Sequence, residues 1–289
     1  MRAMSDEIPI CLVTGHTGFI GHNLMEELQR LGFKAVGLES MRGEAIDLCD
    51  ASMVTEAVDR IRPDIIFHLG GVSGPMQFEN EPSTVVRVNI EGTQTLLSAA
   101  QRFGTRRVIC AGSVAGYATA GSFGPEPDSI YGLTKRVAEF QTSLWARQTG
   151  REATVLRIGS VYGLGRASDN PIHQMVQEAL LKRVITYAPH VMEPCIEIRT
   201  CVALIAALAQ VKTLRPRYDV VTDRPQAGDV AAIIAKLTGA RLFSDTVPNI
   251  EAGNFPYEFD PEPLFQDTAQ GHAVTLREGI ESLVTAWRQ

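Results

Sequence analysis

A tyrosine and a lysine stand four residues apart in Tyr131-Gly132-Leu133-Thr134-Lys135. The stretch reads as the head of a helix running to about Gln148, and residues i and i+4 share one helical face. The phenol and the ammonium can therefore point into one cleft. A nearby cation favours phenolate over phenol, which suits a tyrosine that must exchange a proton with a substrate hydroxyl near neutral pH. Alone, the pair is weak evidence, because any amphipathic helix can carry a half-buried tyrosine beside a solvated lysine at this spacing, and that reading leads. The elements around it decide between the two.

Ile8 to Thr14 is an apolar run that ends in Thr14-Gly15-His16-Thr17-Gly18-Phe19-Ile20-Gly21. Leu24, Met25, Leu28 and Leu31 then recur at helical spacing until Gly32. Strand, glycine loop and helix make a layout that binds a dinucleotide pyrophosphate. Glycines let the backbone approach closely, and the helix N-terminus offers free N–H groups. The spacing here is GxxGxxG. A second strand, Lys34 to Leu38, ends at Glu39, where an acidic residue accepts a ribose 2′-hydroxyl and repels a 2′-phosphate. NAD is thus expected over NADP, with Arg42 close enough to blur the choice.

Further units follow in alternation: helix Ala51 to Ile61, strand Pro63 to Leu69, a long helix Pro82 to Phe103, strand Arg106 to Ala111, the Tyr131 helix, and strand Ala153 to Ile158. His68 reads as a packed strand-end histidine. The pattern implies an α/β fold with a doubly wound parallel sheet, its ligands at the carboxyl ends of the strands. Gly15, Glu39, Gly70 and Ser113 all fall at such ends, which favours a functional Tyr131/Lys135 pair. After Gly163 helices are expected at Pro171 to Leu181, Cys201 to Val211, Asp229 to Leu237 and Leu276 to Trp287. Strands are expected at Val184 to Tyr187 and Tyr218 to Thr222, and an irregular loop at Thr246 to Asp267. The chain divides into a dinucleotide-binding domain, residues 1–165, and a small substrate lobe, residues 166–289, some of whose segments return to the main sheet.

The chain has 289 residues, 45% of them hydrophobic, and a net charge of −6 with scattered Lys and Arg, so nucleic acid is not an expected partner. No apolar run approaches the ~18 residues of a membrane span. Met1 to Pro9 is short and polar, unlike a secretory signal, and a cytoplasmic protein is expected. The five cysteines form no CxxC pair, which suggests neither a metal site nor a disulfide framework. Cys11 and Cys110 lie inside strand-like runs and read as core residues.

These motifs together resemble the extended short-chain dehydrogenase/reductase family, also called NAD-dependent epimerase/dehydratases. The matching features are the glycine loop, Asp47-Leu48, His68-Leu69, Asn89 with Gly92-Thr93, Ser113 four before Tyr117, Tyr131 with Lys135, and Arg157 leading to Val161-Tyr162-Gly163. The resemblance implies Tyr131 as general acid/base, Lys135 as its cationic partner and a ligand of the nicotinamide ribose, and Ser113 as a hydrogen-bond donor to the substrate oxygen. It implies Gly15, Thr17, Gly18, Phe19, Ile20 and Gly21 around the pyrophosphate, Glu39 at the adenosine ribose, and Asp47 and Leu48 at the adenine. Leu69, Gly70, Gly71 and Asn89 would line the cofactor channel. Ser73, Ser160, Arg166 and Arg199 join Ser113 and Tyr131 as candidate substrate contacts. Family members often dimerise through two long helices, here Pro82 to Phe103 and Ile130 to Gln148.

Departures from the family pattern bear on the substrate. Val114-Ala115 stand where dehydratases carry an Asp-Glu pair, so dehydration is not expected. Glu193 and Thr200 stand where many sugar-nucleotide epimerases place an arginine and an aspartate, leaving Arg166 and Arg199 as anion clamps. The expected function is an NAD-dependent enzyme acting on a sugar, with nucleotide-sugar epimerisation first. Net oxidation or reduction of a free sugar or sugar acid is the alternative, and a non-catalytic sensor of the cofactor is a remote third.

Overall fold

The computed structural model describes residues 8–72, 78, 80–245 and 255–288. The first half alternates strand and helix: β1 (Ile10–Thr14), α1 (Phe19–Arg30), β2 (Lys34–Gly37), α2 (Ala51–Ile61), β3 (Ile65–His68), α3 (Pro82–Val86), α4 (Gly92–Phe103), β4 (Arg107–Ser113), α5 (Ile130–Thr149) and β7 (Glu152–Ile158). Between β4 and α5, strands β5 (Thr119–Gly121) and β6 (Gly124–Glu126) form a short antiparallel hairpin. Then come β8 (Ser160–Tyr162), α6 (Pro171–Lys182), β9 (Val184–Tyr187), β10 (Cys195–Glu197) and α7 (Ile198–Ala207). The chain closes with β11 (Arg217–Val220), α8 (Ala227–Thr238), β12 (Arg241–Ser244), α9 (Glu262–Thr268) and α10 (Leu276–Trp287).

Six strands form one parallel sheet in the order β2-β1-β3-β4-β7-β11, all paired in the same direction. A parallel sheet needs both faces covered, and the strand sequences supply two apolar faces. Cys11, Val13, Phe67, Ile109 and Leu156 meet Leu24 and Leu28 of α1, Leu204 and Ile205 of α7, and Leu264 of α9. Leu12, Ile66 and Val108 meet Val54 and Val58 of α2, Leu96 and Leu97 of α4, and Trp145 of α5. A third core, built from Ile172, Val176, Ile185, Val230, Ile234, Ile280 and Leu283, holds α6, α8 and α10 together beside the sheet. Of the C-terminal segments, β11 enters the main sheet, and α7 and α9 cover one of its faces.

Two expectations need correction. The long helix Pro82 to Phe103 is interrupted: Arg87–Glu91 form a π-helical turn closed by the Gly92 N–H on the Arg87 carbonyl. Within the expected loop Thr246 to Asp267, residues 246–254 lie outside the described residues, and Glu262–Thr268 is a helix. Its two prolines read as breakers, yet Pro261 is the N-cap and Pro263 lies in the first turn, where no backbone N–H is needed.

Arg107 anchors the opposite end of the sheet from the ligand side. It is fully buried and donates to Glu152 Oε2 at 2.6 Å and to the carbonyls of Leu208, Ala209 and Val211 at 2.7, 3.2 and 2.8 Å, holding the C-cap of α7 and the turn that follows it. Replacing Arg107 by Ala leaves the three carbonyls without this donor and Glu152 with Arg106 alone, at 3.3 Å. The expected cost is about 3 kcal/mol, read as a lower urea midpoint. An unchanged midpoint would contradict this role.

Candidate functional site

The carboxyl ends of β1, β3, β4 and β7 are brought level by strand register, which pairs Thr14 with His68, His68 with Cys110 and Ser113 with Ile158. Ser113 is buried at the end of β4, and its Oγ accepts the Ala115 N–H at 3.1 Å. That bond leaves the hydroxyl proton free to donate outward. Beside it, α5 begins at Ser129, whose Oγ caps the helix on the Gly132 N–H. Tyr131 and Lys135 therefore sit on the first two turns. Lys135 is buried, its Nζ donates to the Ala111 carbonyl at 3.2 Å, and it lies 5.7 Å from the centre of the Tyr131 ring. An ammonium has three donors, so two remain for other partners. The structure thus brings Ser113, Tyr131 and Lys135 to one side of the sheet end.

The glycine loop fits a dinucleotide. Gly15 has φ +68°, and a Cβ there would come within 2.9 Å of the Gly70 backbone. A Cβ on Gly21 would approach the Gly15 carbonyl oxygen to 2.1 Å. The loop can fold this tightly over the end of β1 only without side chains. Gly18 caps α1 without any side-chain hydrogen bond, which leaves the N–H groups of the first turn, from Phe19 to Gly21, for an anionic ligand. Thr17 lies in the loop between them. Glu39 follows β2, and its Oε1 meets His16 Nε2 at 2.7 Å. Asp47 accepts the Cys49 N–H, which holds its carboxyl below the usual range, and pairs with Arg87 at 3.4 Å; Leu48 is buried next to it.

A buried hydrogen-bonded chain joins the cofactor loops to the Tyr131 helix. Thr93 Oγ1 donates to the Asn89 carbonyl at 2.6 Å, so towards His68 Nε2, at 2.9 Å, it must accept. His68 therefore carries its proton on Nε2. Its Nδ1 accepts from Thr14 Oγ1 at 2.8 Å, which in turn accepts the Gly70 N–H. From Asn89 the chain continues. Oδ1 accepts the Val72 N–H, and Nδ2 donates to the Val72 carbonyl and to Thr134 Oγ1, which donates to the Tyr131 carbonyl. Leu69, Gly70 and Gly71 are the stretch of backbone this chain fixes. His68 is the packed histidine expected, with Thr14 and Thr93 as its partners; Thr134, further along the chain on Asn89, carries no sequence signal of its own.

The substrate side is arranged differently from expectation. Arg166 spends its guanidinium on the carbonyls of Val161, Ser168 and Asp169, at 2.5, 3.2 and 2.9 Å. Arg199 pairs with Glu197 and reaches Ser282. Ser160 Oγ accepts from Asn170 Nδ2. Ser73 lies outside the described residues. Glu193 stands next to Pro194, whose carbonyl accepts the Ser160 N–H, and is exposed to solvent. Nearby protein still raises its carboxyl above the usual range, Arg166 pulls it back, and Asp128 adds to the rise.

Residues 11–193 match the model of the NAD dependent epimerase/dehydratase family. The chain belongs to this family. Among its relatives, it is 33% identical over 169 residues to uronate dehydrogenase from Pseudomonas syringae pv. tomato, covering 52% of this chain and 59% of that one. It is 28% identical over 176 residues to UDP-glucose 4-epimerase from Mycolicibacterium smegmatis, covering 53% and 56%. The chain thus spans under two thirds of the length of these relatives. Its fold is similar to that of a UDP-glucose 4-epimerase from Thermotoga maritima solved with UDP-glucose, with a TM-score of 0.81, 21% identity and coverage of 96% and 98%. The doubly wound parallel sheet of this family member is the architecture its sequence implied.

Burial holds His68 neutral, with its pKa pushed from 6.5 down to about 3, and the positive charge of Lys135 adds to the effect. The unfolded chain therefore takes up this proton before the folded one does. The contribution of neutral His68 is fully present above pH 6.5 and is lost as pH falls from there towards 3. His68→Gln cannot gain the proton. Urea midpoints measured across this range are expected to fall less steeply for His68→Gln than for the native protein, and equal slopes would contradict the assignment.

Proposed function

We propose that this family member is an NAD-dependent enzyme that oxidises a sugar hydroxyl, with Tyr131 as the base. The observation that carries this reading is the buried Lys135 held by the Ala111 carbonyl beneath the Tyr131 ring, with Ser113 at the adjacent strand end. NAD, when bound, supplies the hydride acceptor. The glycine loop with Phe19, Ile20 and Thr17 takes its pyrophosphate, Glu39 its adenosine ribose, Asp47 and Leu48 its adenine, and Leu69 to Gly71 with Asn89 line the channel. Tyr131 takes the proton of the substrate hydroxyl, Ser113 donates a hydrogen bond to the same oxygen, and Lys135 places its positive charge beside the Tyr131 ring and would reach the nicotinamide ribose.

On a nucleotide sugar, the keto intermediate could stay bound and be reduced from its other face, giving epimerisation, the activity named for the M. smegmatis relative. The second reading is net dehydrogenation of a sugar or sugar acid, as the name of the P. syringae relative has it. It is favoured by Arg166 and Arg199 being engaged within the protein and by a carboxyl at Glu193. A charged Glu193 near a diphosphate would repel it by on the order of 1–4 kcal/mol at about 4 Å. Epimerisation leaves no NADH, whereas net dehydrogenation accumulates one NADH per substrate. Absorbance at the NADH band during a screen of nucleotide sugars, free sugars and sugar acids separates them. Tyr131→Phe is expected to lower turnover by about 10²–10⁴ with NAD affinity nearly unchanged. Full activity in that variant would contradict the role given to Tyr131.

The chain is further proposed to act in the cytoplasm as a homodimer. Among the described residues no helix is long and apolar enough to cross a membrane. Leu133, Phe140 and Leu144 stand exposed along α5, and Val86 is exposed at the end of α3. An apolar stripe of this kind suits a self-complementary helix pair. Sedimentation should give twice the chain mass for the native protein and the single mass for Phe140→Asp. A monomeric native protein would contradict the dimer.

A further inference from the structure

His16 occupies the position in the glycine loop between Gly15 and Thr17, and its imidazole does not face solvent. The ring lies against Gly37 at the end of β2, so closely that a Cβ on Gly37 would fall 2.6 Å from three ring atoms. From there Nε2 reaches Glu39 Oε1 at 2.7 Å; the two side chains are 14% and 41% exposed. On the other flank, Arg60 donates to the Glu39 backbone carbonyl at 2.6 Å, so the residue is held from both ends. Arg42 sits in a tight turn closed by Ser40 and Glu44, three residues further on.

A carboxylate that receives a ribose can offer one oxygen to each of the two adjacent hydroxyls. Here one oxygen already has a donor from the protein. The same donor offsets part of the negative field that would repel a phosphate on the ribose. We propose that His16 is a specificity-determining residue for the cofactor: it competes with the adenosine ribose for Glu39, weakening NAD binding and softening the rejection of NADP. This rests on the dinucleotide site assigned above but not on the identity of the sugar. Gly37 is the residue that makes room for the competing ring.

The two cofactors must respond in opposite directions, which a general loosening of the loop could not produce. Removing His16 frees the second oxygen for the ribose diol and bares the carboxylate towards a 2′-phosphate. Titration calorimetry of His16→Ala is expected to show NAD binding about tenfold tighter, the scale of a hydrogen bond to a charged group, and NADP binding weaker than in the native protein. In the Glu39→Ala background the same substitution should change NAD affinity by less than about twofold. If His16→Ala fails to fold, the His16 ring resonances of the native protein supply the second readout, and they should shift as NAD displaces the ring. The proposal is overturned if His16→Ala weakens both cofactors, or if its gain in NAD affinity persists without Glu39. Absence of any NAD binding by the native protein would overturn the dinucleotide site itself.

Discussion

The site depends on a hydrogen-bonded chain that water does not reach. His68, Thr14, Thr93 and Asn89 are all buried, and each side-chain donor proton in the chain has a partner. Burial of this kind is costly when a partner is missing. The arrangement therefore behaves as a unit: the loop that follows β1, the loop that follows β3 and the first turn of α5 are set in one relation to each other. The π-helical turn at Arg87–Glu91 is part of it, because it carries Asn89 between Val72 and Thr134. Tyr131 inherits its position from this relation as much as from its own helix.

The elements that pack by periodicity were legible in the sequence. Helix α2 runs over Ala51–Ile61 as its apolar spacing implied, and α10 over Leu276–Trp287. Strands β1, β3, β4 and β7 are apolar on both faces, as buried parallel strands must be. The features that were not legible depend on contacts between distant positions. The π-helical turn follows from a side chain that meets Val72 and Thr134, which no local spacing encodes. Strand β9 was legible over Val184–Tyr187, but its pairing with β12, and that of β8 with β10, joins segments far apart in sequence through three or four residues each.

At the site itself, residue type and place in the fold foretold where Gly15, Glu39, Ser113, Tyr131 and Lys135 lie. Side-chain allegiance did not follow from type. Arg166 and Arg199 look like anion ligands in a sequence, and only coordinates show them satisfied by backbone carbonyls and by Glu197. Conversely Glu193, exposed at the surface, has a carboxyl raised above its usual range by nearby protein and by Asp128. The cofactor half of the cleft is thus a reading of strand ends, and the substrate half is a reading of how charges are neutralised.

The most direct measurement follows the hydrogen rather than the product. A sugar that the protein turns over, deuterated at the carbon bearing the reacting hydroxyl, is incubated with NAD, and the cofactor is recovered by rapid quench for mass spectrometry. Hydride transfer with Tyr131 taking only the hydroxyl proton requires deuterium on the recovered nicotinamide in net oxidation and its return to the product sugar in epimerisation, and in neither case its loss to water. Turnover with the deuterium lost to water and an unlabelled cofactor would contradict it.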